Sequence, residues 1–145
     1  MLDLFQKHLD AISAALMAGD FYAYMRLVTV PLVVVTDKAT AVISDEQEYR
    51  YGFDNYAGML RTERATDLVR LASAVSELAP NLITGRYETH ILRTGQRIYG
   101  PFKSALSMRC EDDIWKVCSV VNPAHADKWP LSGMHKTDTE KSEEK

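Results

Sequence analysis

The sequence predicts an α+β domain: three helices cover one face of a curved, mostly antiparallel sheet, in the order α-α-β-β-α-β-β-β-β. In the first half, apolar residues recur at three- and four-residue steps, the period of amphipathic helices. From Asp67 onward the pattern becomes alternating and β-branched, cut by short runs of turn residues. Helices and strands that sit in separate blocks and carry apolar faces pack as two layers.

Leu2, Phe5, Leu9, Ile12 and Leu16 form the first helical stripe. Gly19 ends that helix, and Asp20 is placed to cap a short second one, FYAYMRL. Pro31 lacks an N–H and biases Val30 to an extended backbone, so the second helix stops before it. Leu32 to Thr36 and Thr40 to Ile43 then read as a hairpin that turns at Asp37-Lys38. The first of these strands is apolar on both faces, which requires cover on both.

Ser44 with Gln47 three residues later is a capping-box signature, and Asp45, Glu46 and Glu48 suit the positive end of a third helix. Tyr49, Phe53, Tyr56 and Leu60 lie along one side of it. Gly52 and Gly58 weaken this helix by roughly 1 kcal/mol each, a cost consistent with close packing. Strands are expected at 67–78, 82–94, 97–111 and 114–122, with APN, TGQ and EDD as the turns.

Register arithmetic assigns faces. A turn centred on Gly95-Gln96 pairs Ile83 with Met108, Tyr87 with Ser104 and Thr89 with Phe102; one centred on Asp112-Asp113 pairs Met108 with Val117, Leu106 with Ser119 and Ser104 with Val121. Ile83, Tyr87, Thr89, Ile91 and Phe102 then face inward, with Leu106, Met108, Trp115, Val117 and Val121 beside them. Arg86, Glu88, His90, Lys103, Arg109 and Lys116 take the opposite face. A bulge at Gly100-Pro101 would shift residues beyond it by one. Strand 67–78 reads two ways: Val69, Leu71 and Val75 compete with Leu68, Ala72 and Leu78 for the core.

The 145 residues make one domain, 1–122, followed by a polar tail, 123–145, expected to be disordered from about residue 136, with Trp129 able to dock its earlier part. A net charge of −3 argues against a general nucleic-acid or anionic-membrane binder. No stretch approaches the roughly 20 apolar residues of a membrane helix, and the N-terminus does not read as a secretory signal. Cys110 and Cys118 fall on opposite faces of the last hairpin, so two free thiols and a reducing, cytoplasmic setting are expected. Phosphate loops, nucleophile elbows and metal-binding histidine pairs are absent, so no cofactor or metal is expected.

Asp20-Phe21 opening the second helix, Pro31 before the first strand, ISDEQEY leading into the third helix and EDDIWKVCSV as the last hairpin give an order that resembles the nuclear transport factor 2-like fold, also known as the SnoaL-like or ketosteroid-isomerase-like superfamily. The resemblance covers residues 1–122. It implies a cone-shaped half-barrel with a pocket between helices and sheet, often dimerised through the sheet. It does not imply one activity, because isomerases, dehydratases, epoxide hydrolases, polyketide cyclases, dioxygenase small subunits and non-catalytic binders share the shape.

The candidate ligand contacts are Tyr24, Tyr49, Phe53, Tyr56, Tyr87, Thr89 and Ser104. Isomerase chemistry in such a pocket needs a buried carboxylate base, and Glu88 falls on the polar face while Glu77 is inward in only one register. His90 with Glu88 is the candidate catalytic dyad, weighed against the preferred reading of a solvated or dimer-facing polar patch. The expectation is a protein that binds a small apolar or mixed-polarity molecule and dimerises through its sheet. The alternatives are a cofactor-independent isomerase, dehydratase or hydrolase acting in the same pocket, and a non-catalytic interaction module.

Overall fold

The N-terminal stripe folds as expected except at its first residue. In the computed structural model, which describes residues 1–122, α1 runs Leu2–Ala18 and buries Phe5, Leu9, Ile12 and Leu16, while Leu2 is exposed. The expectations for the tail, including Trp129, lie outside the described residues. Asp20 caps α2 (Phe21–Met25), its side chain accepting from the Ala23 N–H at 3.1 Å. The third cap sits one residue later than the sequence suggests. Asp45, not Ser44, accepts from the Glu48 N–H (2.8 Å), and Glu48 reaches back to the Ser44 N–H and hydroxyl. With Asp45 as the cap, the residue three positions on is Glu48 instead of Gln47, and its carboxylate accepts from Ser44 and favours the helix dipole. From this cap α3 runs Glu46–Thr62 and buries Tyr49, Phe53, Tyr56 and Leu60.

Six strands form one curved, open sheet: β1 Val28–Thr36, β2 Thr40–Ile43, β3 Asp67–Ala79, β4 Leu82–Arg93, β5 Gln96–Glu111 and β6 Ile114–Asn122. Their order is β2-β1-β6-β5-β4-β3, with β1 parallel to β6 and every other neighbour antiparallel. β1 starts at Val28, earlier than expected. Pro31 is tolerated within it because the β1–β6 register breaks between Val28 and Val33, where no ladder donor is required.

Bulges bend the sheet and decide which side chains turn inward. Between β4 and β5 the register steps at Gly100-Pro101, and a side chain at Gly100 (φ 104°) would lie 2.5 Å from the Thr89 carbonyl oxygen. Between β5 and β6 it steps at Ser107/Met108, so Leu106 pairs with Val120 rather than Ser119. That step corrects one expected face: Val121 is 40% exposed on the outer side, and Val120 packs against the core instead. On β3 a step between Ala72 and Ala74 lets both competing registers hold in turn, Leu68 and Ala72 facing inward before it and Val75 after it.

Helix α1 lies against the sheet through Phe5, which is fully buried. Gly85 on β4 makes this possible, since a Cβ there would stand 2.4 Å from the Phe5 ring.

Candidate functional site

The helices and the concave side of the sheet do not meet everywhere. Leu9, Ile12 and Leu16 of α1, Phe53 of α3, and Val34 and Leu106 of the sheet form the apolar wall of a cavity of about 80 Å³. A single water needs roughly 10–15 Å³ by this measure, so the space would take roughly five to eight waters or a ligand of similar bulk.

The polar groups around this wall come from four tyrosines and one arginine. Tyr24, Tyr49, Tyr56, Tyr87 and Arg70 all border the cavity. Tyr49 donates its hydroxyl to the Thr29 carbonyl and so ties α3 to β1. Burial pushes the Tyr24 phenol up to about 12 and raises those of Tyr56 and Tyr87, against the opposing effect of the Arg70 charge. At neutral pH these tyrosines are therefore neutral hydrogen-bonding groups and supply no counter-charge.

Arg70 is the group the sequence reading missed. Between Leu68 and Ala72 on β3 it follows the alternation inward, and only 6% of it is exposed. Its Nη1 donates to Ser13 Oγ at 3.0 Å and its Nη2 to Tyr56 Oη at 3.1 Å. β3 is an edge strand, and Gln6 of α1 covers that edge: its Nε2 donates to the Arg70 carbonyl (2.6 Å) and its Oε1 accepts from the Ala72 N–H (2.8 Å). The backbone under the guanidinium is held from both sides. One signal was present in the sequence. The Leu68/Ala72 register necessarily turns Arg70 inward, which conflicts with the usual exposure of arginine.

Of the expected ligand contacts, Tyr24, Tyr49, Phe53, Tyr56 and Tyr87 border the cavity. Thr89 and Ser104 are buried on the same face but lie outside its lining. Ser104 sits across from Tyr87 and donates to Asn122 Oδ1 at 3.2 Å. Glu88 and His90 occupy the opposite face, with Glu88 Oε1 3.3 Å from His90 Nε2 and Arg97 Nη1 3.4 Å from His90 Nδ1. Glu77 is exposed. No buried Asp or Glu occurs among the described residues.

No protein-family model matches this chain, and no curated protein matches it. Solved structures do. A nuclear transport factor 2-like protein of unknown function from Shewanella oneidensis superposes with a TM-score of 0.64 at 14% identity, covering 84% of this chain and 98% of that one. A domain of unknown function with a cystatin-like fold from Nostoc punctiforme gives 0.64 at 11% identity, covering 98% and 95%. A de novo designed protein with a curved β-sheet gives 0.52 at 8%, covering 80% and 95%. Likeness at such identities concerns shape and leaves activity open. Element order, sheet topology and these superpositions agree that the chain has the nuclear transport factor 2-like fold.

Proposed function

We propose that this chain is a small-molecule-binding protein whose ligand, apolar or of mixed polarity, occupies the cavity bordered by Tyr24, Tyr49, Phe53, Tyr56 and Tyr87. The observation that carries this reading is the combination of an apolar wall with a few convergent polar groups around one cavity, the usual composition of a ligand site. Two free cysteines support a reducing, cytoplasmic setting.

Native mass spectrometry of the purified full-length protein is expected to show a bound small molecule that is released on denaturation. Val120→Phe fills the cavity and is expected to lose that molecule with its circular dichroism unchanged. Tyr56→Phe should weaken binding and leave the fold intact. Retention of the molecule by Val120→Phe at wild-type occupancy would refute the site.

The same reading pairs two copies through the outer face of the sheet. Val33 lies beside Val42, and Val35 beside Val121, which makes a continuous apolar strip across β2, β1 and β6. This supplies the cover that a doubly apolar first strand requires. Light scattering should give twice the chain mass, and Val35→Lys should halve it.

A further inference from the structure

We infer that the cavity's ligand is a small monocarboxylic acid, its carboxylate paired with the Arg70 guanidinium and its apolar body lying against the wall of Leu9, Ile12, Phe53 and Leu106. This deepens the small-molecule reading above and rests on it.

The inference begins with a charge that has no carboxylate counterpart among the described residues. The two ion pairs among the described residues, Glu88–His90 and Glu63–Arg93, both lie away from the cavity. Arg70 therefore stands almost wholly buried with two neutral partners, the hydroxyls of Ser13 and Tyr56. An arginine does not shed its proton in a protein, so this charge cannot be relieved by titration. Burying an unpaired ion costs several kcal/mol even after relaxation. Such a group is retained where an anion completes it.

Geometry then narrows the anion. Of the guanidinium's five N–H donors, the Ser13 and Tyr56 bonds use one on each terminal nitrogen. The remaining donors have no acceptor among the described residues, on a group that borders the cavity. A planar fork with donors to spare matches a carboxylate's paired oxygens. Tyr24, which borders the same space, has no hydrogen-bond partner among the described residues and is available to donate to one of them.

Charge and size set the class. Arg70 is the only cation bordering the cavity among the described residues, so the site balances one negative charge rather than two. The remaining wall is mostly apolar, and the space suits a small acid of about the bulk of five to eight waters.

Isothermal titration of the full-length protein with hexanoate and benzoate, and with their neutral counterparts hexan-1-ol and benzyl alcohol, tests this directly. The acids are expected to bind more tightly than the alcohols by about 10–100-fold, the worth of charge-assisted hydrogen bonds. Arg70→Met should abolish that preference and retain the alcohols, and Arg70→Lys should keep part of it. Alcohols binding wild type as well as acids do would overturn the carboxylate assignment and leave the small-molecule site standing. Binding by none of the four probes would overturn both. The wild-type comparison decides the matter even if Arg70→Met does not fold.

Discussion

Arg70 and His90 lie on neighbouring strands, one step apart in register, and point to opposite sides of the sheet. On the outer side His90 has a carboxylate from its own strand and a guanidinium from β5 within 3.4 Å, in a setting that water reaches. On the inner side Arg70 is only 6% exposed and has two hydroxyls, with no carboxylate, as partners among the described residues. The exposed cluster is complete without a ligand and contributes little. The buried cation is incomplete, and the physics of desolvation makes it the informative one. Polar residues at similar positions in the sequence thus carry opposite messages, depending on the face to which a bulge or an alternation sends them.

If the inner face is the part that holds the fold, its deletion should have the largest effect. Phe5→Ala removes a fully buried ring from the contact between α1 and Gly85 and is expected to cost about 3–5 kcal/mol. Urea unfolding measures it. A loss below that of an ordinary surface substitution would show that α1 is not seated on the sheet as described.

Next in size is Arg70→Met in the absence of ligand. Removing an unpaired buried charge and keeping its volume offsets several kcal/mol of desolvation. Against this, Ser13 and Tyr56 each lose a bond from a charged donor, worth about 1.5–3 kcal/mol. The expected net result is a stability within roughly 2 kcal/mol of wild type in the urea midpoint analysis. A loss of several kcal/mol would make Arg70 an internal brace and erase its contrast with His90.

The fold was largely legible in the sequence and this contrast only partly so, for definite reasons. Strand limits followed from turn residues, and the β4–β5 pairing of Ile83 with Met108 and Thr89 with Phe102 is as the sequence predicts. That agreement contains two offsetting displacements. The turn lies at Thr94-Gly95, one residue earlier than Gly95-Gln96, and the extra residues on β5 at Ile98 and Gly100-Pro101 restore the register. Between β5 and β6 nothing offsets the bulge beside Cys118, so Val121 and Val120 exchange faces. Alternation on β3 was indeterminate because a bulge at Ser73 splices two registers together. Arg70 was hidden for the same reason. Tyr49, Phe53 and Tyr56 were legible because a helix has no bulge to misplace them.

The buried-against-exposed contrast extends to a second imidazole. His8 on α1 is buried with its Nε2 3.1 Å from the Leu27 carbonyl, and burial lowers its pKa below 6.5 despite that bond. The native state therefore prefers the neutral ring, while the unfolded chain takes up a proton near pH 6.5. With the folded value below the unfolded one, the unfolded state binds more protons between them, and stability falls as pH drops through that window. His8→Gln keeps an N–H for Leu27 and does not titrate. Its urea midpoint should change less than that of wild type between pH 7 and pH 5. Identical slopes would place the titrating group elsewhere.

The smallest effect belongs to the outer cluster, and its smallness is the point. Glu88 has 38% of its side chain exposed and His90 has 19%, so their pairing is screened by solvent and salt. A double-mutant cycle with His90→Ala and Glu88→Gln is expected to give a coupling of about 0.2–1 kcal/mol at low salt and less at high salt. Neither variant should change the affinity for hexanoate, since both side chains lie across the sheet from the cavity. If His90→Ala weakened hexanoate binding tenfold while circular dichroism stayed the same, the two faces would be coupled, and the outer cluster would need a role beyond that of a solvated ion pair.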